Sequence, residues 1–204
     1  MLMDTRGSAV GRFKERLDAL WDGISTSCAT CVDPDCMGYL WLLDDDAGEI
    51  MRAGHGVVRV NPPDGPRFID SYARDSEGAL TVQTRSPTCP YLDSARRCAI
   101  HDHRPLVCRL YPLSLETLPD GTVAWLLHTN CNHIRRVQTA SGLDNLVREI
   151  RAALGLMAPA LHDELKAVYG KVNAVTERMS TEDMRHVLVI SKLDWGEPIG
   201  GETT

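Results

Sequence analysis

Aromatic residues are scarce in this chain: two phenylalanines, four tryptophans and five tyrosines make up 5% of its 204 residues. That leaves little material for stacking nucleotide bases. A surplus of positive charge is also missing, since 22 lysines and arginines face 28 aspartates and glutamates, for a formal net charge of −6. Affinity gained by neutralising phosphates needs the opposite balance, so nucleic acid is not an expected partner. No stretch approaches the roughly 20 apolar residues of a membrane span. The opening MLMDTRGSAVGRFKERLDALW carries charges from Asp4 to Arg16, where a secretory signal would need an unbroken apolar core. The expectation is a cytoplasmic protein without a membrane partner. No Gly-rich G-x-G-x-x-G or G-x4-G-K-[ST] loop is present, and neither G-x-S-x-G nor H-E-x-x-H occurs, which removes the common nucleotide, esterase and metalloprotease signatures.

Cysteine is what the chain does have. Seven are present, Cys28, Cys31, Cys36, Cys89, Cys98, Cys108 and Cys131, and none follows residue 131. An odd number of thiols in a reducing compartment points to metal rather than disulfides. Cys28 and Cys31 have the C-x2-C spacing by which one tight turn offers two thiolates to one ion, with Cys36 just beyond. Cys98 and Cys108 bracket CAIHDHRPLVCRLYP, a segment too mixed for a plain helix or strand. Its Arg-Pro step disfavours helix at residues 102–104 and should let Cys108 fold back toward the other thiolates. Four ligands saturate a tetrahedral zinc and four thiolates hold an iron-sulfur cluster, so seven exceed one site by three. The division among sites stays open. Arg104 and Arg109 are candidates to offset the negative charge of bound thiolates and to donate hydrogen bonds to sulfur. His101, three residues after Cys98, has a ligand spacing, but seven thiolates suffice for a sulfur-preferring metal. The aspartates at 44–46 read as a solvated helix cap, since one short run supplies too few converging oxygens for a hard cation.

The element pattern is α+β: a cysteine-rich irregular metal-binding core with a few short antiparallel strands, flanked by N- and C-terminal helices. Val10, Phe13, Leu17 and Leu20 recur at helical spacing. A short helix follows the aspartates and stops near Gly54. Residues 56–60, 79–84 and 122–127 read as strands that could form one small sheet. Leu143, Leu146, Val147, Ile150 and Leu154 share a helical face, Pro159 marks a break before a second helix ending near Gly170, and Ser180 with Asp183 resembles a capping box for a last helix reaching about Leu193. The organisation expected from these signals is an N-terminal helix over 1–24, a metal-binding domain over 25–135, C-terminal helices packed on it over 136–195, and a flexible tail over 196–204.

Cys89-Pro90-Tyr91-Leu92 through Cys98-Ala99-Ile100-His101, Arg104-Pro105, Cys108-Arg109 and Tyr111-Pro112 form a long gapless pattern rich in rare residues. Together with the early cysteines and Cys131-Asn132-His133-Ile134, it resembles the YkgJ-type family of cysteine-cluster proteins, which chelate zinc or iron. The family signature opens C-x2-C-x2-C-C, whereas here Cys36 is displaced and followed by Met37, one cysteine fewer. The resemblance covers about residues 25–135. It implies metal binding by all seven cysteines, with an iron-sulfur cluster in a redox or modifying role, as an oxidoreductase or modifying enzyme. One alternative is a zinc-stapled module facing a protein or peptide partner. Another is a metal chaperone or store.

Overall fold

The computed structural model of the chain describes residues 9–24, 40–41, 43–55, 68–69, 72–74, 80–82, 89, 91–95, 97–137, 140–173 and 179–194. These fall into two compact units, one from the residues up to Asp22 together with those from Leu110 onward, the other Gly23–Arg109. The fold class is α+β, as expected. Among the described residues no helix is long and apolar enough to cross a membrane.

The first unit is built on a three-stranded antiparallel sheet, β5 (Leu113–Thr117), β6 (Val123–His128) and β7 (Val187–Leu193), with β6 in the centre. Four helices belong to the same unit, α1 (Ala9–Leu20), α4 (Asn132–Val137), α5 (Ala140–Leu154) and α6 (Pro159–Asn173), and α5 packs on β7. The helix α1 buries Phe13 and Leu17, two of the residues its period picks out, and packs on α5, where Arg16 pairs with Glu149. Residues 123–127 of β6 are buried on both faces, as a central strand covered on each side must be. The β5–β6 turn is made by Pro119-Asp120-Gly121, with Gly121 at φ +85° in the region glycine enters without steric cost.

Two expectations fail here. The capping box is real, because Ser180 N–H donates to Asp183 Oδ2 at 2.9 Å and Asp183 N–H donates to Ser180 Oγ at 3.2 Å, but it opens only a single 3-10 turn, Asp183–His186. The run expected as the last helix is strand β7. Its Val-Leu-Val-Ile start is β-prone, and the edge of β6 offers it a ladder from Val123↔Leu193 to His128↔Val187. The pattern also gave no warning of β5, so the expected single sheet of 56–60, 79–84 and 122–127 does not form: residues 123–127 pair with β5 and β7 instead. The second helix runs through Gly170 to Asn173.

The register slips between Trp125 and Leu126, whose partners are Ser191 and Val189, so Ile190 is the extra residue of a β-bulge. Its carbonyl turns to α5, where Arg151 donates from Nε at 3.2 Å and Nη2 at 3.1 Å. The bulge therefore fastens a helix to the sheet.

The second unit carries little regular structure among the described residues. Two short antiparallel pairs occur, β1 (Leu40–Trp41) with β2 (Phe68–Ile69) and β3 (Tyr72–Arg74) with β4 (Leu80–Val82), the latter lying within the strand expected at 79–84. The strand expected at 56–60 lies outside the described residues. Helix α2 (Asp44–Arg52) ends where expected, in a Schellman motif: His55 N–H reaches Ile50 O at 3.2 Å, Gly54 N–H reaches Met51 O at 3.0 Å, and Gly54 has φ +84°. The short α3 (Leu106–Leu110) begins in this unit. Asp46 corrects the solvated-cap reading, because it is only 1% exposed.

On the sheet, Ser114 Oγ lies 2.8 Å from His128 Nε2, and Ser114 also bonds Glu116, the next residue on the same face. Burial pushes the Glu116 carboxyl up, partly offset by the Ser114 hydrogen bond. The folded state then holds this proton more tightly than the unfolded chain does. Its contribution is fully present below the ordinary glutamate range and is lost as pH rises from there through the raised folded value. Glu116→Gln cannot ionise, so its melting temperature should gain on the wild type as pH rises from about 4 to about 7. Parallel melting curves with a constant offset would show that Glu116 is not the titrating group.

Candidate metal centre

Of the seven expected thiolate donors, Cys28, Cys31 and Cys36 lie outside the described residues. The other four are placed and remain thiols. Cys89, Cys98 and Cys108 are half-buried in the Gly23–Arg109 unit. Cys131 is buried in the sheet-bearing unit just before α4, where its carbonyl accepts Arg135 N–H at 2.9 Å.

Between Cys89 and Cys98 the chain doubles back. Leu92 N–H donates to Cys89 O at 3.2 Å, Ala99 N–H to Tyr91 O at 2.7 Å, and Leu92 bridges Cys98. The turn is closed by Asp93, whose Oδ1 accepts the N–H groups of Ala95 and Arg97, each at 2.8 Å, and whose Oδ2 accepts Arg97 Nε at 2.9 Å. These bonds, Arg97 N–H first, hold its carboxyl below the usual range. The result matters for the donors: Cys89 and Cys98 pack against one cluster, made by Ala47 and Ile50 of α2 with Tyr91 and Ile100.

The next segment is stapled rather than loose. His101–His103 forms one 3-10 turn, Arg104 is extended at φ −61°, ψ 141° as a residue before proline should be, and α3 begins after Pro105. Arg109, 6% exposed, donates from Nε to Arg104 O at 3.0 Å and from Nη2 to Asp102 O at 2.8 Å, while Glu49 Oε1 of α2 stands 3.8 Å from Nη2. One planar fork thus grips two carbonyls of the turn that precedes it. His103 Nδ1 stands 3.7 Å from the same Glu49 oxygen.

Arg104, 8% exposed, turns the other way. Its Nη1 bonds His101 Nε2, and since a guanidinium can only donate, that nitrogen supplies its lone pair to the arginine. That lone pair is engaged within the protein, and the other ring nitrogen, Nδ1, stands 3.4 Å from Asp102 Oδ1. Burial pushes the Cys98 thiol up, the Ile100 N–H bond and the Arg104 charge pull it down, and Asp102 opposes them. Of the two arginines, Arg104 is thus placed to favour a thiolate electrostatically, and Arg109 is placed to hold the chain.

Among the described residues no group of three or more His, Cys, Asp or Glu side chains converges closely enough to hold an ion. The donor chemistry nevertheless fits zinc or iron: soft sulfur donors, partly shielded, beside a permanent positive charge. Sequence reasoning missed Asp46, Asp93 and Glu49. Asp46 could have been found as the third helical residue of a capping box, and Asp93 as the start of an Asp-x-Ala turn. Nothing local marks Glu49 as a neighbour of Arg109.

The family model described as "Putative zinc- or iron-chelating domain" matches residues 26–132, just over half of the chain and a span that includes every cysteine. No curated relative and no solved structure matches the chain.

Arg109→Lys keeps the charge but cannot reach both carbonyls. Losing one charge-assisted bond should destabilise the protein by on the order of 2 kcal/mol in urea unfolding. A loss under about 0.5 kcal/mol, within the range of an ordinary surface change, would show that the fork does not hold this segment.

Proposed function

Because the chain belongs to the CxxCxxCC family of zinc- or iron-chelating domains, we propose that it holds its metal through cysteine thiolates and that this metal is an iron-sulfur cluster in a redox or modifying role. The observation that carries the reading is the confinement of all seven cysteines to the matched span, with none in the remaining C-terminal part. The proposed donors are drawn from Cys28, Cys31, Cys36, Cys89, Cys98, Cys108 and Cys131. Cys89 and Cys98 share one apolar seat, which supports their acting together. The C-x2-C turn at Cys28 and Cys31 is proposed to complete the set.

A cluster bound by such thiolates supplies one-electron chemistry, and its potential responds to nearby hydrogen bonds and charge. Arg104 is proposed for the charge-offsetting role. Zinc is the second reading, favoured by the pairing of Cys36 with Met37 where the family has two adjacent cysteines. Seven thiols are one short of two four-thiolate sites, and zinc would make the chain a redox-silent stapled module for a protein or peptide partner.

Anaerobically purified protein should be brown and carry stoichiometric iron and acid-labile sulfide. A colourless protein filled with zinc would replace the cluster by the second reading. Cys108→Ser should lower bound metal and reduce the melting temperature by roughly 5 °C or more, because metal binding and folding are coupled. Full metal content and stability in that variant would remove the 106–112 segment from the centre.

A further inference from the structure

We propose that Asp46 is a positioning residue for the thiolate centre, fixing Cys108 relative to the seat of Cys89 and Cys98; this rests on the thiolate-chelation reading above. Asp46 is 1% exposed, and a carboxylate is rarely buried so deeply unless its lone pairs are used. Its Oδ2 accepts the N–H of Leu43 at 3.2 Å, the local bond that caps α2. The same oxygen accepts the N–H of Leu106 at 3.1 Å, sixty positions away. Capping α2 requires only the first bond. The second reaches the opening residue of α3, immediately after Pro105, which has no N–H to offer.

The position of that second bond gives it its meaning. Leu106 starts the short helix in which Cys108 is the third residue, so fixing the Leu106 N–H fixes where the Cys108 thiol emerges. Helix α2, which carries Asp46, also contributes Ala47 and Ile50 to the cluster under Cys89 and Cys98. It further carries Glu49, which faces Arg109 and His103. One nine-residue helix therefore touches the surroundings of three proposed donors, and Asp46 is its link to the third. Groups that orient metal ligands without touching the ion commonly change affinity by about 10–100-fold.

The test uses the full chain, stripped of metal under reducing conditions, with Zn²⁺ titrated against a chromophoric chelator and Co²⁺ bound as an optical reporter of thiolate ligation. Asp46→Asn keeps the shape and one oxygen but loses the charge; Asp46→Ala loses both bonds. The expected result is a graded loss, with Zn²⁺ affinity down roughly tenfold or more in the asparagine variant and further in the alanine variant. The Co²⁺-thiolate charge-transfer band should weaken in step. Asp45→Asn, an exposed neighbour on α2, should bind as the wild type does. Ile150→Val, which loosens the core of the other unit, should lower the melting temperature without changing affinity. Wild-type affinity and an unchanged Co²⁺ spectrum in both Asp46 variants would overturn the proposal while leaving metal binding intact. A wild-type chain that takes up neither ion overturns the chelation reading and this one with it. If neither Asp46 variant folds, amide exchange in the wild type decides: Zn²⁺ should slow exchange at Leu106, and an unaffected Leu106 amide counts against the proposal.

Discussion

Side chains hydrogen-bonded to backbone groups hold together the described part of the Gly23–Arg109 unit. Buried peptide groups need partners, and leaving one unsatisfied costs about 1–3 kcal/mol. Helices and sheets normally meet that need, but here the regular elements are two to nine residues long. Charged side chains take over: Asp46 at Leu43 and Leu106, Asp93 at Ala95 and Arg97, Arg109 at Asp102 and Arg104. Each bond has an ionised partner, which makes it stronger than a neutral one. The 102–109 segment is gripped both from α2 at Leu106 and from within by Arg109, so its conformation is set by two independent anchors.

The sheet-bearing unit solves the same accounting differently. Its ladder pairs the backbone of β6 on both sides, and Trp125, Leu126 and Leu127 are buried. Even there the one irregularity is closed by a charged side chain, since Arg151 takes the carbonyl that the bulge at Ile190 turns away from the ladder. Cys131 is the proposed donor housed in this unit, at the threshold of α4, where the sequence shows only a cysteine before Asn-His-Ile.

What could be read from the sequence was whatever depends on neighbours along the chain. The period of Phe13 and Leu17, the glycine that ends α2 at Gly54, the Pro-Asp-Gly turn and the extended backbone before Pro105 are local matters, and each is present. The capping box at Ser180 was equally legible, and it misled because a cap specifies where a helix could begin, not whether the following residues have a better partner elsewhere. Val187 to Leu193 had the edge of β6, more than sixty positions away at some pairings. Asp46 failed for the same reason: its bond to Leu43 follows from spacing, its bond to Leu106 from tertiary structure alone. The cysteines were legible as donors by number and spacing, and the shared seat of Cys89 and Cys98 was not, because it depends on residues of α2.

The two arginines show why proximity in sequence is a weak guide to what a charge does. Both flank Cys108, and both were candidates to face sulfur. Arg109 points its fork at two backbone carbonyls of the preceding turn, where a planar group with divergent donors is required and a point charge would fail. Arg104 meets His101 and lends its field to Cys98. That division separates the two demands a thiolate centre makes of its surroundings, a fixed backbone for the donors and a positive potential for their charge. It also leaves the Nε2 lone pair of His101 committed to a guanidinium.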